Sequence, residues 1–172
     1  MFTPFSVLIT ERLQLRQLLD SDDEAISALR SDVRVNKYIE RSGNVTTDEA
    51  RAFINKINDG ISACKWLYWA IVLKENETFI GTICLWNISD DGKCAELGFE
   101  LIPDFQRQGF MNEALKAIIT CAFDSARFLT LEAFTHRENE ASVSLLQRNK
   151  FIHNSLRSDR ENPDNLIFTR SE

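Results

Sequence analysis

The residues most able to do chemistry lie in one stretch, Glu96 to Ala114, ELGFELIPDFQRQGFMNEA. Polar and apolar residues alternate from Cys94 to Ile102. A strand there turns Glu96, Gly98 and Glu100 to one face, with the two carboxylates roughly 13 Å apart at about 3.3 Å per residue. Such carboxylates can accept protons, or simply solvate a strand. Pro103 ends the run, and Gln106-Arg107-Gln108-Gly109-Phe110-Met111 leads straight into a helical pattern. A loop that enters a helix N-terminus presents backbone N–H groups lacking intrahelical acceptors, and the helix dipole adds positive potential. Together these features bind phosphate, and Gly109 would permit close backbone approach. The same glycine could equally ease a strand-to-helix turn. The segment is neither a P-loop, which needs GKS or GKT, nor a GxGxxG dinucleotide fingerprint.

The elements that must position these groups follow from periodicity. Leu8 to Leu19 alternates and predicts a first strand. Ser21-Asp22-Asp23-Glu24 has the form of a capping box, with Ile26, Leu29 and Val33 behind it at helical spacing. Thr46-Thr47-Asp48-Glu49 opens a second helix striped by Ala50, Phe53, Ile54, Ile57 and Ile61, and Gly60 is expected to be its left-handed C-cap. Trp66 to Leu73, Phe79 to Ile88 and Cys94 to Ile102 are strands joined by the turns Lys74 to Thr78 and Ser89 to Lys93, an antiparallel meander. Trp66, Tyr68 and Trp69 belong to the core or to a substrate-site wall.

From Gly109 the period is helical again, through Met111, Ala114, Leu115, Ile118, Ile119, Ala122 and Phe123. Phe128 to Phe134 is a strand, Asn139 to Asn149 a helix, Phe151 to Leu156 a strand and Leu166 to Arg170 the last strand, after a charged turn from Arg157 to Asn165. The order β-α-α-β-β-β-α-β-α-β-β is an α+β arrangement, unlike a TIM barrel or a Rossmann fold.

At 172 residues the chain reads as a single domain over 1–172. Its net charge of −6 argues against a nucleic-acid partner, which wants a basic face. Met1 to Thr10 lacks a basic, long-cored secretory signal, and no apolar run approaches the ~20 residues that span a bilayer, so no membrane partner is expected. Cys64, Cys84, Cys94 and Cys121 form no CxxC pair and read as buried free thiols. His136 and His153 are too scattered for a metal site, and a cytoplasmic setting is expected. Oligomeric state is not legible.

Several motifs in order carry a resemblance. Thr10-Glu11-Arg12-Leu13-Gln14-Leu15-Arg16, Glu96-Leu97-Gly98-Phe99, Gln106 to Met111, Asn112-Glu113-Ala114-Leu115, and Asn139-Glu140-Ala141-Ser142 followed by Leu145-Leu146 and Phe151 together resemble the Gcn5-related N-acetyltransferase (GNAT) superfamily. The nearest likeness is to the branch that holds the ribosomal-protein N-terminal (alanine/serine) acetyltransferases. The resemblance implies a GNAT-like fold, a central, mostly antiparallel, twisted sheet of about seven strands with four helices. It also implies acetyl-CoA as co-substrate, held at Gln106, Arg107, Gln108, Gly109, Phe110, Met111 and Asn112, with Asn139 as a further CoA contact. The departures are Met111 where a glycine or alanine is usual, Lys150 where a glycine precedes the Phe, and Leu146 where some relatives carry a tyrosine that protonates the leaving thiolate.

The implied mechanism is direct. An amine attacks the thioester carbonyl after losing its proton to a carboxylate, Glu96 or Glu100, acting directly or through water. A backbone N–H at the splayed end of the Cys94–Ile102 strand meets the oxyanion, while pantetheine pairs with that strand's edge near Leu101 and Ile102. By the same resemblance Ser142 is the proton donor to the thiolate. Asn139 would also serve as a helix N-cap. The acceptor is a protein N-terminal amine or, alternatively, a small amine such as a polyamine, aminosugar or amino-acid derivative. A non-catalytic acyl-CoA-binding module is the remaining reading.

Overall fold

In the computed structural model, which describes residues 5–172, strands β1 (Leu8–Ile9), β2 (Leu13–Arg16), β3 (Leu67–Leu73), β4 (Phe79–Trp86), β5 (Cys94–Leu101), β6 (Thr130–His136), β7 (Ile152–His153) and β8 (Asn165–Ser171) form one sheet. Their order across it is β1-β2-β3-β4-β5-β6-β8-β7. Neighbours are antiparallel, apart from the parallel pair β5 and β6. Four helices accompany it: α1 (Asp23–Ser31), α2 (Thr47–Ser62), α3 (Phe110–Thr120) and α4 (Glu140–Arg148). The opening residues of the Met1 to Thr10 stretch, 1–4, lie outside the described residues.

The expected element order holds, with eight strands rather than about seven. The predicted strand from Leu8 to Leu19 breaks into β1 and β2, because Thr10 turns the chain. Its N–H donates to the Leu13 carbonyl at 2.9 Å and its Oγ1 accepts the Leu13 N–H at 3.0 Å. Glu113 of α3 accepts the Thr10 hydroxyl at 2.6 Å and the Arg12 N–H at 2.8 Å, which fastens the turn to the helix.

Three local expectations are corrected. The Ser21–Glu24 capping box does not form: α1 starts at Asp23 without a side-chain cap. Asp22 is drawn inward instead, where its carboxylate accepts the Leu19 N–H at 2.8 Å and two Arg16 guanidinium bonds at 2.7 and 2.8 Å. Val33 lies beyond the end of α1 and is exposed, outside any core stripe. Gly60 is not a left-handed cap but an interior residue of α2. A Cβ there would stand 2.0 Å from the Trp66 ring, whose Nε1 donates to the Ile57 carbonyl at 2.9 Å. The left-handed residue is Cys64, at φ 55°. The Thr46–Glu49 box does form, with Thr46 N–H donating to Glu49 Oε2 at 2.7 Å and Glu49 N–H to Thr46 Oγ1 at 3.2 Å.

Period-two alternation gives the sheet two apolar faces. Leu13, Leu15, Trp69, Ile71, Ile83, Leu85 and Leu97 pack with α3 and α4 residues such as Ala114, Leu115, Ile118 and Leu146. Ala70 and Val72 face the other way, against Ile26 and Leu29 of α1 and Ile54 and Ile57 of α2. Each fully buried aliphatic side chain contributes about 1.5–3 kcal/mol. Trp69 is fully buried in the first cluster, Trp66 and Tyr68 partly so against the second. The cysteines are free thiols, but only Cys121 is buried; Cys84 and Cys94 are intermediate and Cys64 is exposed, because it lies in the turn that ends α2. Among the described residues no helix is long and apolar enough to cross a membrane.

Candidate active site

Strand β5 is paired with β4 along its length, from Trp86↔Glu96 to Gly81↔Leu101, but with β6 only over Cys94↔Thr130, Ala95↔Leu131 and Glu96↔Glu132. Beyond Glu96 the two parallel strands part. The Ile102 N–H donates to the Ile80 carbonyl of β4 at 2.8 Å. By strand alternation the backbone groups of Leu97, Phe99 and Leu101 therefore turn away from β4, and those of Phe99 and Leu101 lie beyond the last rung with β6, on an open side. Gln106 Nε2 reaches back to the Leu101 carbonyl at 3.0 Å. Of the two expected pantetheine contacts, Leu101 lies on the open edge, whereas the Ile102 amide is spent on β4.

The loop that follows is shaped by two left-handed residues, Arg107 at φ 60° and Gly109 at φ 83°. Gly109 is the N-cap of α3, a conformation that costs an L-residue with a Cβ about 1–2 kcal/mol. The amides of Phe110, Met111 and Asn112 are the first-turn donors that a helix leaves unpaired. The side chains of Phe110 and Met111 are buried, so these residues could meet an anion only through their backbone. The Met111 side chain thus points into the core and does not narrow the phosphate approach. Asn112 Oδ1 accepts Asn149 Nδ2 at 2.9 Å, which links α3 to the end of α4. Gln108 Nε2 donates to the Asp104 carbonyl at 2.8 Å.

Arg12 braces this loop from β2's side, a role that no local pattern of residues signals. Its Nη1 donates to the Gln108 carbonyl at 3.1 Å, its Nε to Glu113 at 2.7 Å, and its guanidinium lies 4.3 Å from the Phe110 ring centre. Burial resists ionisation of Glu113, but hydrogen bonds from the Thr10 hydroxyl, the Arg12 N–H and the Arg12 guanidinium outweigh it and hold the carboxyl below its ordinary range.

Glu96 and Glu100 share a face but live differently. Glu100 accepts two bonds from Arg41, at 2.6 and 3.2 Å, in a pair with both side chains mostly buried. Glu96 occupies the last paired rung before β5 and β6 part, and its carboxylate accepts Asn87 Nδ2 at 3.2 Å. Burial pushes its carboxyl above the ordinary range; Asn87 opposes this, and Asp159, Glu132 and Glu161 add to it. It opens on a cavity of about 930 Å³ walled by Trp86, Phe134, Ile167 and residues 156–161. Trp86 on β4 and Glu132 on β6 flank Glu96 directly across the sheet.

Ser142 is buried in the first turn of α4, its N–H donating to Asn139 Oδ1 at 3.2 Å. Asn139 therefore caps α4 and keeps only its amide NH₂ for a ligand. Leu146 is fully buried and offers the cleft no polar group. Lys150 adopts φ 63°, so the lysine takes up the left-handed turn that a glycine would serve more easily. His136, at the end of β6, stacks on Tyr38 with ring centres 4.9 Å apart, and the Tyr38 hydroxyl donates to the Glu138 carbonyl at 3.0 Å. Together with Arg41 on Glu100, this lays the segment between α1 and α2 across the ends of both diverging strands. Arg41, Trp86 and Glu132 had no sequence signal beyond their chemistry. Asp159 and Glu161 were visible only as a charged turn.

A family model described as an acetyltransferase (GNAT) domain matches residues 12–152. The chain is 31% identical over 154 residues to the uncharacterised N-acetyltransferase p20 of Bacillus licheniformis, covering 90% of this chain and 86% of that protein. It is 30% identical over 147 residues to the uncharacterised N-acetyltransferase YoaA of Bacillus subtilis, covering 86% and 83%. Among solved structures, a ribosomal-protein-serine acetyltransferase described for Vibrio cholerae superposes with a TM-score of 0.85 at 22% identity, over 99% of this chain and 100% of that one. The ribosomal L7/L12 alpha-N-protein acetyltransferase RimL in complex with coenzyme A superposes at 0.81 and 18% identity, over 96% and 98%.

Proposed function

Since the chain belongs to the GNAT family of N-acetyltransferases, we propose that it moves acetyl directly from acetyl-CoA to a protein N-terminal α-amine, with Glu96 as the proton acceptor. One observation carries this reading. Glu96 sits where β5 and β6 separate, half-buried, with no cation paired to it among the described residues, and it faces a cavity large enough for an acceptor.

The co-substrate fits the geometry. The left-handed Gly109 bends the loop so that the first-turn amides of α3 converge where pyrophosphate would lie. The open edge of β5 at Phe99 and Leu101 offers backbone groups to an amide-bearing arm. An N–H of that edge would meet the negative charge that develops on the thioester oxygen. The amine arrives as ammonium, and Glu96, with its carboxyl already raised by burial, takes the proton as the C–N bond forms. The C–S bond then breaks; Ser142 at the start of α4 gives its proton to the departing thiolate and regains one, through water, from the second proton that the attacking nitrogen sheds as it becomes an amide. Positioning accounts for most of the acceleration in a transfer of this kind. Glu100 is committed to Arg41, and we assign it to holding the segment between α1 and α2 over the cleft.

The N-terminal acceptor is supported by the acetyltransferases of ribosomal proteins among the structures that share the fold. A thiol-release assay with acetyl-CoA, run across peptides with free N-termini and across small amines, tests it. Turnover of peptides is expected; turnover of small amines alone would move the acceptor to that class.

A further inference from the structure

Between Glu96 and the open backbone of β5 stands one residue on the Glu96 face of the strand, Gly98. Alternation sets Glu96, Gly98 and Glu100 on that face. Phe99 offers the first free backbone groups beyond the last rung with β6. A thioester oxygen held there lies about 10 Å along the strand from Glu96, three residues at about 3.3 Å each. An amine that attacks this carbonyl and passes its proton towards Glu96 therefore sits over Gly98. Side chains rise on either side of that position: Glu96 with Trp86 across from it, and Glu100 with Arg41. Gly98 is the gap between them.

Neither backbone shape nor packing demands a glycine there. Its φ lies outside the left-handed region, unlike those of Gly92 and Gly109. Gly81 of β4 is a packing glycine, since a Cβ would stand 2.2 Å from the Glu100 carbonyl oxygen. At Gly98 the tight neighbour would be the Cys84 thiol at 3.0 Å, with Trp86 Nε1 next at 3.6 Å. A thiol turns aside by rotation about one bond. Burial pushes that thiol's pKa up to about 12, so it stays neutral and adds no charge to the cleft. A glycine inside a strand weakens it, and often marks the place where a ligand comes close. Gly98 is partly exposed, as such a role requires.

We propose that Gly98 determines acceptor specificity: its missing side chain makes room for a substituent on the carbon that bears the reacting amine. Acceptors branched at that carbon are thereby admitted, which is the pattern of every peptide N-terminus except one beginning with glycine. The inference rests on the acetyl-transfer reading above and specifies what lets its acceptor in.

Thiol-release kinetics with matched acceptors test it. One arm compares a peptide beginning with Ala against the same peptide beginning with Gly; the other compares 2-aminobutane with butylamine. Both arms use Cys84→Ala protein, which removes the thiol that an added Cβ would crowd, so folding is not at stake. In that background Gly98→Ala is expected to lower kcat/KM for the branched member roughly ten- to hundredfold more than for its unbranched partner, what one surplus methyl group commands in an enzyme pocket. The arm that is turned over identifies the acceptor's source. Melting temperature and CoA-induced thermal stabilisation should both be retained, because the loop into α3 is untouched. An equal loss for both members marks a packing role and overturns the proposal. So does no loss at all, or a Cys84→Ala protein that already refuses the branched members. If CoA stabilises the protein but no amine is turned over, the acetyl-transfer reading fails. Dissociation constants of the same four compounds, measured with CoA present, then decide the steric preference by the same comparison.

Discussion

Arg41 grips the Glu100 carboxylate with both terminal nitrogens, at 2.6 and 3.2 Å, in surroundings that leave the two side chains only 12% and 17% exposed. Cutting one partner strands a largely buried charge. Arg41→Met and Glu100→Gln are each expected to cost about 1–3 kcal/mol, and the double variant less than their sum. Thermal melting checks this, at roughly 2–4 °C per kcal/mol for a chain of this size. Glu100→Gln should keep far more turnover than the corresponding change at Glu96.

Glu96→Gln is expected to leave CoA-induced stabilisation intact while lowering turnover by roughly 10²–10⁴-fold, the range for losing a positioned base. The deficit should shrink as pH rises and free amine becomes available without help. Stability should move the other way. Folding raises the Glu96 pKa, so its ionised form subtracts stability above the folded-state value, and the subtraction fades as pH falls below the unfolded one. The variant should therefore melt higher than wild type at neutral pH and level with it near pH 4. Near-full turnover at neutral pH would remove Glu96 from the mechanism.

Ser142→Ala takes away the proposed donor to the thiolate while leaving the Asn139 cap, which uses the Ser142 backbone, in place. Turnover should drop without the recovery at high pH expected of Glu96→Gln. Parallel pH–rate profiles of the two variants separate their roles.

Gly109 and Gly92 both have positive φ, at 83° and 68°. Valine at either position should cost about 1–2 kcal/mol in strain. Only Gly109 caps α3, where a Cβ would also come within 3.4 Å of Arg12 Nη2. Melting curves with and without CoA should show both variants destabilised and only Gly109→Val deprived of the CoA-induced shift.

Lys150 holds φ 63° on the way from α4 into β7. Lys150→Gly removes about 1–2 kcal/mol of left-handed strain and returns roughly 0.5–1 kcal/mol in unfolded-state entropy. A small net rise in melting temperature is expected.

The parts that sequence made legible are those written in local pattern. The alternation of β5, the Thr46–Glu49 box and the loop into α3 all depend on neighbours a few residues away. The failures depended on distant ones. The Ser21–Glu24 box does not form because Arg16 draws the Asp22 carboxylate inward. Gly60 was required by a Trp66 ring packed on it, not by a left-handed turn. The first strand broke where Glu113, a hundred residues on, could take up the turn's donors. For the site, residue types marked Glu96 and Gly109. Only tertiary structure could show that Glu100 belongs to Arg41, or that the charged turn at 157–161 overhangs Glu96.

The parting of β5 from β6 has a consequence for solubility. A sheet with unpaired backbone in its middle carries the liability usually confined to its rims, since bare N–H and C=O groups are a template for a stray strand. Here the bare backbone groups are those of Phe99 and Leu101, beyond the last rung shared with β6. Cover by the pantetheine arm would make the co-substrate a guardian of solubility as well as a reagent, and cofactor starvation would become a route to aggregation.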